Sequence, residues 1–281
     1  MRTHGAWNAG WVLAVLCVAP SCDSGNGSGG ETDAAVAKDS SDSAGAPDTA
    51  GGGLPDTAGG GLPDLTGRVY LFSRLETYVP TDMFNSTWAK DLSNDDIVIM
   101  LRVHEHDRAT DTLSMSVVTG AAERDPVTGE VLAWHPSLAG TPLEVALADG
   151  AFTVDGTFTL DIMTENLSRP LHLVDLTGEG EILEDGGGVR NGVFVGGLLE
   201  GDMKTLCMGI AGLGSVNLHW FLTTGGICPD RDTDGDGTAD AYTFDWHFDA
   251  VDITDRYDDG ILEVVSWVTD CVSHEGACVP K

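Results

Sequence analysis

From Leu65 onward the chain carries short runs in which apolar side chains fall at every second position, broken by turn signals roughly every ten residues. Thr112-Leu113-Ser114-Met115-Ser116-Val117 alternates cleanly, and Phe152, Val154, Phe158, Leu160 and Ile162 share one face of an extended chain. Further strands are expected at 68–73, 97–103, 141–148, 150–163, 171–182, 216–222, 242–248 and 264–268. Acidic and glycine clusters such as Asp149-Gly150 and Asp155-Gly156 supply the turns between them. This spacing predicts an all-β domain over 65–281, an antiparallel β-sandwich of jelly-roll or immunoglobulin-like type. One short helix is expected near 198–210, where Leu199, Met203, Leu206 and Ile210 recur at intervals of three and four.

What precedes that domain cannot form a core. Residues 1–21 read as an export signal: Arg2 and His4 lead into the apolar run 11–19, which is too short to span a bilayer. Ala19 and Ser21 place small residues where an ordinary signal peptidase would cut before Cys22. Residues 23–64 are rich in Gly, Ser, Ala, Asp and Pro and bury too little surface to offset the entropy of ordering. Within them an octamer, 47–54, recurs identically as 55–62, in the manner of a duplicated spacer. The stretch Ala19-Pro20-Ser21-Cys22 followed by this tether resembles the start of a bacterial cell-envelope lipoprotein. The resemblance implies lipidation at Cys22 and a membrane partner held through that anchor. It implies residence in the cell envelope, at the outer membrane or cell surface in preference to the inner membrane. Simple secretion is the competing reading.

Composition narrows the partners. The whole chain has 14 Lys and Arg against 45 Asp and Glu, a formal net charge of −31. So acidic a protein lacks the basic footprint that nucleic acid requires, and no nucleic-acid partner is expected.

The acidity concentrates in 228–240, where Asp230, Asp232, Asp234, Asp236 and Asp240 surround two glycines. Alternating carboxylates on a tightly turning chain supply the all-oxygen shell that Ca²⁺ demands. With Asp232 as the first ligand, Asp234 and Asp236 take the third and fifth places, the Thr238 carbonyl the seventh and Asp240 the ninth. The twelfth place holds Thr243 rather than a bidentate acid, and Asp230, Asp245 or water is the substitute at hand. Asp232-x-Asp234-x-Asp236-Gly237-x-x-Asp240 resembles the calcium loops of thrombospondin type 3 repeats and dockerins, which implies one extracellular structural Ca²⁺ site.

Four cysteines fall within the domain: Cys207, Cys228, Cys271 and Cys278. In an exported protein an even number predicts two disulfides. Of the three possible pairings, Cys207–Cys228 with Cys271–Cys278 is favoured.

Catalytic signals are thin. His104-Glu105-His106 is the best enzymatic stretch, because histidines two apart on a strand would face one side and could share a metal. Solvated residues at a hairpin end are the commoner explanation. Trp88 and Trp134 are noted as aromatics that could form a sugar platform. The expected function is therefore a non-catalytic envelope lipoprotein, a surface or periplasmic binding or adhesion module for a glycan or protein ligand. No catalytic residue is assigned. The alternative is a secreted hydrolase, for example one acting on polysaccharide, with calcium as a structural ion.

Overall fold

A computed structural model of the chain describes residues 61–82, 85–210 and 214–271. The signal segment, Cys22, most of the tether and Cys278 lie outside the described residues. The elements in chain order are β1 (Val69–Thr77), α1 (Asn85–Ser93), β2 (Val98–Asp107), β3 (Thr112–Arg124), β4 (Val131–Pro136) and β5 (Thr141–Ala148). There follow β6 (Ala151–Val154), β7 (Phe158–Ile162), β8 (Leu171–Ile182), β9 (Gly188–Leu199), α2 (Glu200–Met203) and β10 (Cys207–Ile210). The last are β11 (Gly214–Asn217), α3 (Leu218–Thr224) and β12 (Ala241–Asp252).

The domain is a closed barrel, not the expected sandwich. Eight antiparallel strands run β2-β1-β12-β9-β8-β6-β5-β3, and β3 returns to pair with β2 from Thr112–Asp107 to Gly120–Val98. Period-two alternation is common to both architectures, because each has one buried face per strand. What separates them is long-range pairing: β2 bonds to both β1 and β3, so no edge is left there. β4 and β7 lie off this ring, on β3 and β8.

Side chains fill the barrel. Tyr70 and Phe72 from β1, Phe194 from β9, and Tyr242, Trp246 and Phe248 from β12 are essentially inaccessible. Phe72 stacks on Phe248 with ring centroids 4.1 Å apart, and Phe194 tilts against Phe248 at 4.8 Å. The Phe194–Phe248 contact lies in the range favoured by aromatic pairs, and the Phe72–Phe248 stack is closer still. Leu101, Val103, Leu113, Met115, Leu173 and Leu176 complete the packing from the other strands. The rings need room at the wall, and glycine provides it. Phe248 lies over Gly192 and Phe194 over Gly178, positions where a Cβ would run into the ring.

Outward positions carry the charge: Arg74, Glu76, Glu144, Glu179, Glu181, Arg190 and Asp249 all sit on exposed or half-exposed faces. This polar-out, apolar-in pattern is the reverse of a membrane-spanning barrel, whose lipid face is apolar. Among the described residues no helix is long and apolar enough to cross a membrane. A smaller apolar cluster lies on the outer wall, where Trp134 of β4 and Ile253 pack on Val69, Val98, Met100 and Val118. A strap after β12 seals it: Asp258 N–H bonds the Trp134 carbonyl and Leu262 N–H that of Pro136.

Three local expectations are corrected. The 198–210 stretch is not a helix: Leu198 and Leu199 finish the β9 ladder opposite Tyr242 and Ala241, one turn of helix follows, and Cys207 opens β10. Its threefold and fourfold spacing arises because Met203 and Leu206 are buried at the turn between two strands. Residues 218–224 are helix rather than strand, capped by the Asn217 side chain accepting the Trp220 N–H. Residues 264–268 form no ladder, and Val265 and Trp267 point outward. The Asp149-Gly150 turn is as read, both residues having positive φ as a two-residue hairpin requires.

Candidate metal-binding loop

The aspartate loop is tied shut at its mouth. Arg231 and Ala241 exchange backbone hydrogen bonds of 3.0 Å in both directions, and Asp240 N–H reaches the Arg231 carbonyl at 2.9 Å. The loop leads from α3 into β12, so a helix stands before it where a strand is expected. Inside the loop, short aspartate side chains cap successive turns. Asp232 accepts the N–H groups of Gly235 and Gly237, at 2.7 and 2.8 Å; Asp236 accepts that of Thr238 at 2.7 Å. Gly235 and Gly237 have φ of 78° and 87°, the left-handed region such a tight coil needs.

These turns bring one carboxylate oxygen from each of Asp232, Asp234 and Asp236 within 4.8 Å of one another, all three residues exposed. None of the three makes an ion pair with a described residue. Amide N–H groups, that of Gly237 foremost and then that of Gly235, hold the Asp232 carboxyl below the usual carboxylate range. The Asp232 carboxylate therefore stays charged near neutrality, and the donor set of the three aspartates suits a hard divalent cation.

The other predicted ligands are occupied differently. Asp240 accepts both the N–H and the hydroxyl of Thr233, which holds its carboxyl low. Asp230 accepts the N–H of Thr243 at 2.6 Å, so the acid that might replace the missing twelfth ligand braces the strand instead. Thr238 keeps its place in the turn after Asp236. The fit to calcium is thus three convergent carboxylates.

The cysteines pair otherwise than expected. Cys207 bonds Cys271, with Cα atoms 5.6 Å apart and 64 residues between them, joining β10 to the strap. Cys228 is also disulfide-bonded. The favoured Cys207–Cys228 pairing fails because β10 lies beside the end of the strap, a neighbourhood created only by the fold.

His104 and His106 do not converge. A bulge between Val103 and Glu105 shifts the register, so that His106 pairs with Leu113 on the inward side. His106 Nδ1 accepts the Leu65 N–H at 3.3 Å, whereas His104 Nε2 lies 3.0 Å from Ser116 Oγ on the outer wall. The two-residue rule for one strand face fails at the bulge. Trp134 is buried, and Trp88 turns inward with its indole N–H on Thr77 Oγ1 at 3.0 Å, so neither serves as a platform.

One shallow groove of about 380 Å³ runs along the outer wall, lined by Arg102, His104, Ser116, Gly140, Tyr257 and Asp259 among others. Arg102 there pairs with Asp259 and lies over the Tyr257 ring at 5.4 Å. Outside that groove, burial and then the neighbouring Asp96 push the Asp91 carboxyl up to about 6. Compared with protein-family models, with curated proteins and with solved structures, the chain matches none.

Proposed function

We propose that this chain is a non-catalytic envelope lipoprotein, anchored at Cys22 and presenting a barrel that binds a glycan or protein ligand through its surface. The observation that carries this reading is the filled interior. Trp246, Tyr70, Phe72, Phe194 and Phe248 occupy the space in which a transport barrel would hold its cargo. Recognition then falls to the outer wall and loops. In this reading Asp232, Asp234 and Asp236 hold one structural Ca²⁺, with the Thr238 carbonyl and water completing the shell. The cation would neutralise the trio and stiffen the entrance to β12, the strand that joins β1 and β9 across the core.

A secreted hydrolase is the second reading. It is favoured by one contact, His104 Nε2 at 3.0 Å from Ser116 Oγ within the outer-wall groove. Incubation of the protein with soluble polysaccharides separates the two. A binding module retains ligand with no new reducing ends, whereas product release that is lost on Ser116→Ala would establish the hydrolase. Labelling of the protein by palmitate, lost on Cys22→Ser, tests the anchor.

A further inference from the structure

We infer that Trp267, on the strap that follows β12, is a prebuilt platform for the apolar face of a neutral sugar ring. The inference rests on the binding-module reading and names its ligand class. Trp267 is 52% exposed, although a free tryptophan of that size is ordinarily drawn inward. It is also held on several sides. Its indole N–H donates to Asn166 Oδ1 at 2.9 Å and its backbone N–H to the Glu165 carbonyl at 3.1 Å.

One side of the ring lies against Gly209 of β10, where any Cβ would collide with it. Gly209 is itself pinned by its N–H to the Asn166 carbonyl at 2.8 Å. Val268, the next residue, is buried, and Cys271 bonds Cys207 two residues before Gly209. Loop, strand and strap are thus fastened together around one exposed indole. Because its polar edge is already satisfied, the surface offered to solvent is the apolar ring. Ordering it on binding costs little side-chain entropy.

The rim selects the ligand. The Asn166 amide that accepts the indole N–H carries two N–H donors of its own, and the Glu165 carboxylate beside it is exposed. A flat apolar plate edged by a donor and an acceptor matches a pyranose, which has C–H groups on one face and hydroxyls around its equator. Anionic polysaccharides are disfavoured by a chain charge of −31. Val265, two residues earlier on the strap, is also exposed.

The test is calorimetric titration of the full-length protein with cellohexaose, xylohexaose, mannohexaose and chitohexaose. Binding of at least one is expected, weakened at least about tenfold in Trp267→Ala and largely kept in Trp267→Phe. Gly209→Ala should weaken it too, by displacing the ring. Absence of binding to all four, or equal binding by Trp267→Ala, overturns the platform. Binding accompanied by release of shorter sugars, still lost in Trp267→Ala, supports the platform while refuting the non-catalytic reading on which it was built.

Discussion

Thr233 holds Asp240 twice, through its backbone N–H at 2.8 Å and its hydroxyl at 2.7 Å, one bond to each carboxylate oxygen. Seven residues apart, the two close the aspartate loop on itself. The loop therefore has two working parts: a tie made by Thr233 and Asp240, and a cluster made by Asp232, Asp234 and Asp236.

This division predicts two kinds of variant. Asp240→Ala should lower the melting temperature even in chelator, because both bonds from Thr233 lose their acceptor. Asp234→Ala should leave the chelated melt nearly unchanged, since that residue accepts only a local N–H from Asp236. Acid should act on the tie as well. The Asp240 carboxyl is held low in the fold, so its contribution is present above the ordinary carboxylate range and fades as pH falls. Melts of both variants in chelator between pH 3 and 7 check this.

The disulfide Cys207–Cys271 closes a separation of 64 residues. Its removal by Cys207→Ser with Cys271→Ser should destabilise the fold by about 2–4 kcal/mol. Non-reducing peptide mapping should find those two cysteines linked, and Cys228 linked to Cys278. A Cys207–Cys228 peptide would contradict the packing of the strap on β10.

Gly192→Ala places a methyl under the Phe248 ring, at the centre of the aromatic cluster. With no space to yield, the substitution should cost about 1–3 kcal/mol. Phe248→Ala should cost about 3–5 kcal/mol by leaving a cavity among Phe72, Phe194 and Gly192. Urea unfolding of the two variants gives both numbers, with Gly201→Ala as a control in open space.

Asp91 titrates in the opposite sense to the loop. Burial, reinforced by Asp96, raises its carboxyl from 3.8 to about 6 in the fold. A raised acid contributes stability that is complete below the unfolded value and is lost as pH climbs through the folded one. Asp91→Asn should therefore stabilise the protein at pH 7 by about 1 kcal/mol, once solvent screening of this half-buried group is allowed for. Below about pH 4 the gain should vanish. Chemical denaturation at pH 3.5 and 7 compares the two regimes.

Alternation exposed most of the strands. Leu171–Ile182 and Thr141–Ala148 occur with the bounds read from their apolar pattern, because each has one plainly buried face. β9 was hidden by its own chemistry. Gly192 gives the Phe248 ring its clearance and Gly196 gives the neighbouring β8 strand its own; with Gly197 they erase the hydrophobic period that marks a strand. Helix α3 was hidden because Leu218, His219 and Leu222 fit a short apolar run of either type.

Barrel closure and cysteine pairing depend on which distant segments meet, which no local pattern encodes. The aspartate trio was legible from spacing alone, since three of its oxygens converge through turns within the loop. The diversion of Asp240 and Asp230 was not, because it depends on Thr233 and on Thr243 of β12. The 264–268 run reads as a last strand, and only the position of Gly209 and Asn166 shows Trp267 fixed and facing out.

The most direct measurement is a thermal melt of the oxidised protein in millimolar calcium and again in excess chelator. A ligand bound only by the native state at a hundredfold excess over its Kd stabilises by about 2.7 kcal/mol. A rise of several degrees with calcium, abolished in Asp234→Ala while the chelated melt stays the same, is the predicted result. Identical melts of the wild-type protein in calcium and in chelator would contradict it and leave Asp232, Asp234 and Asp236 as a solvated turn.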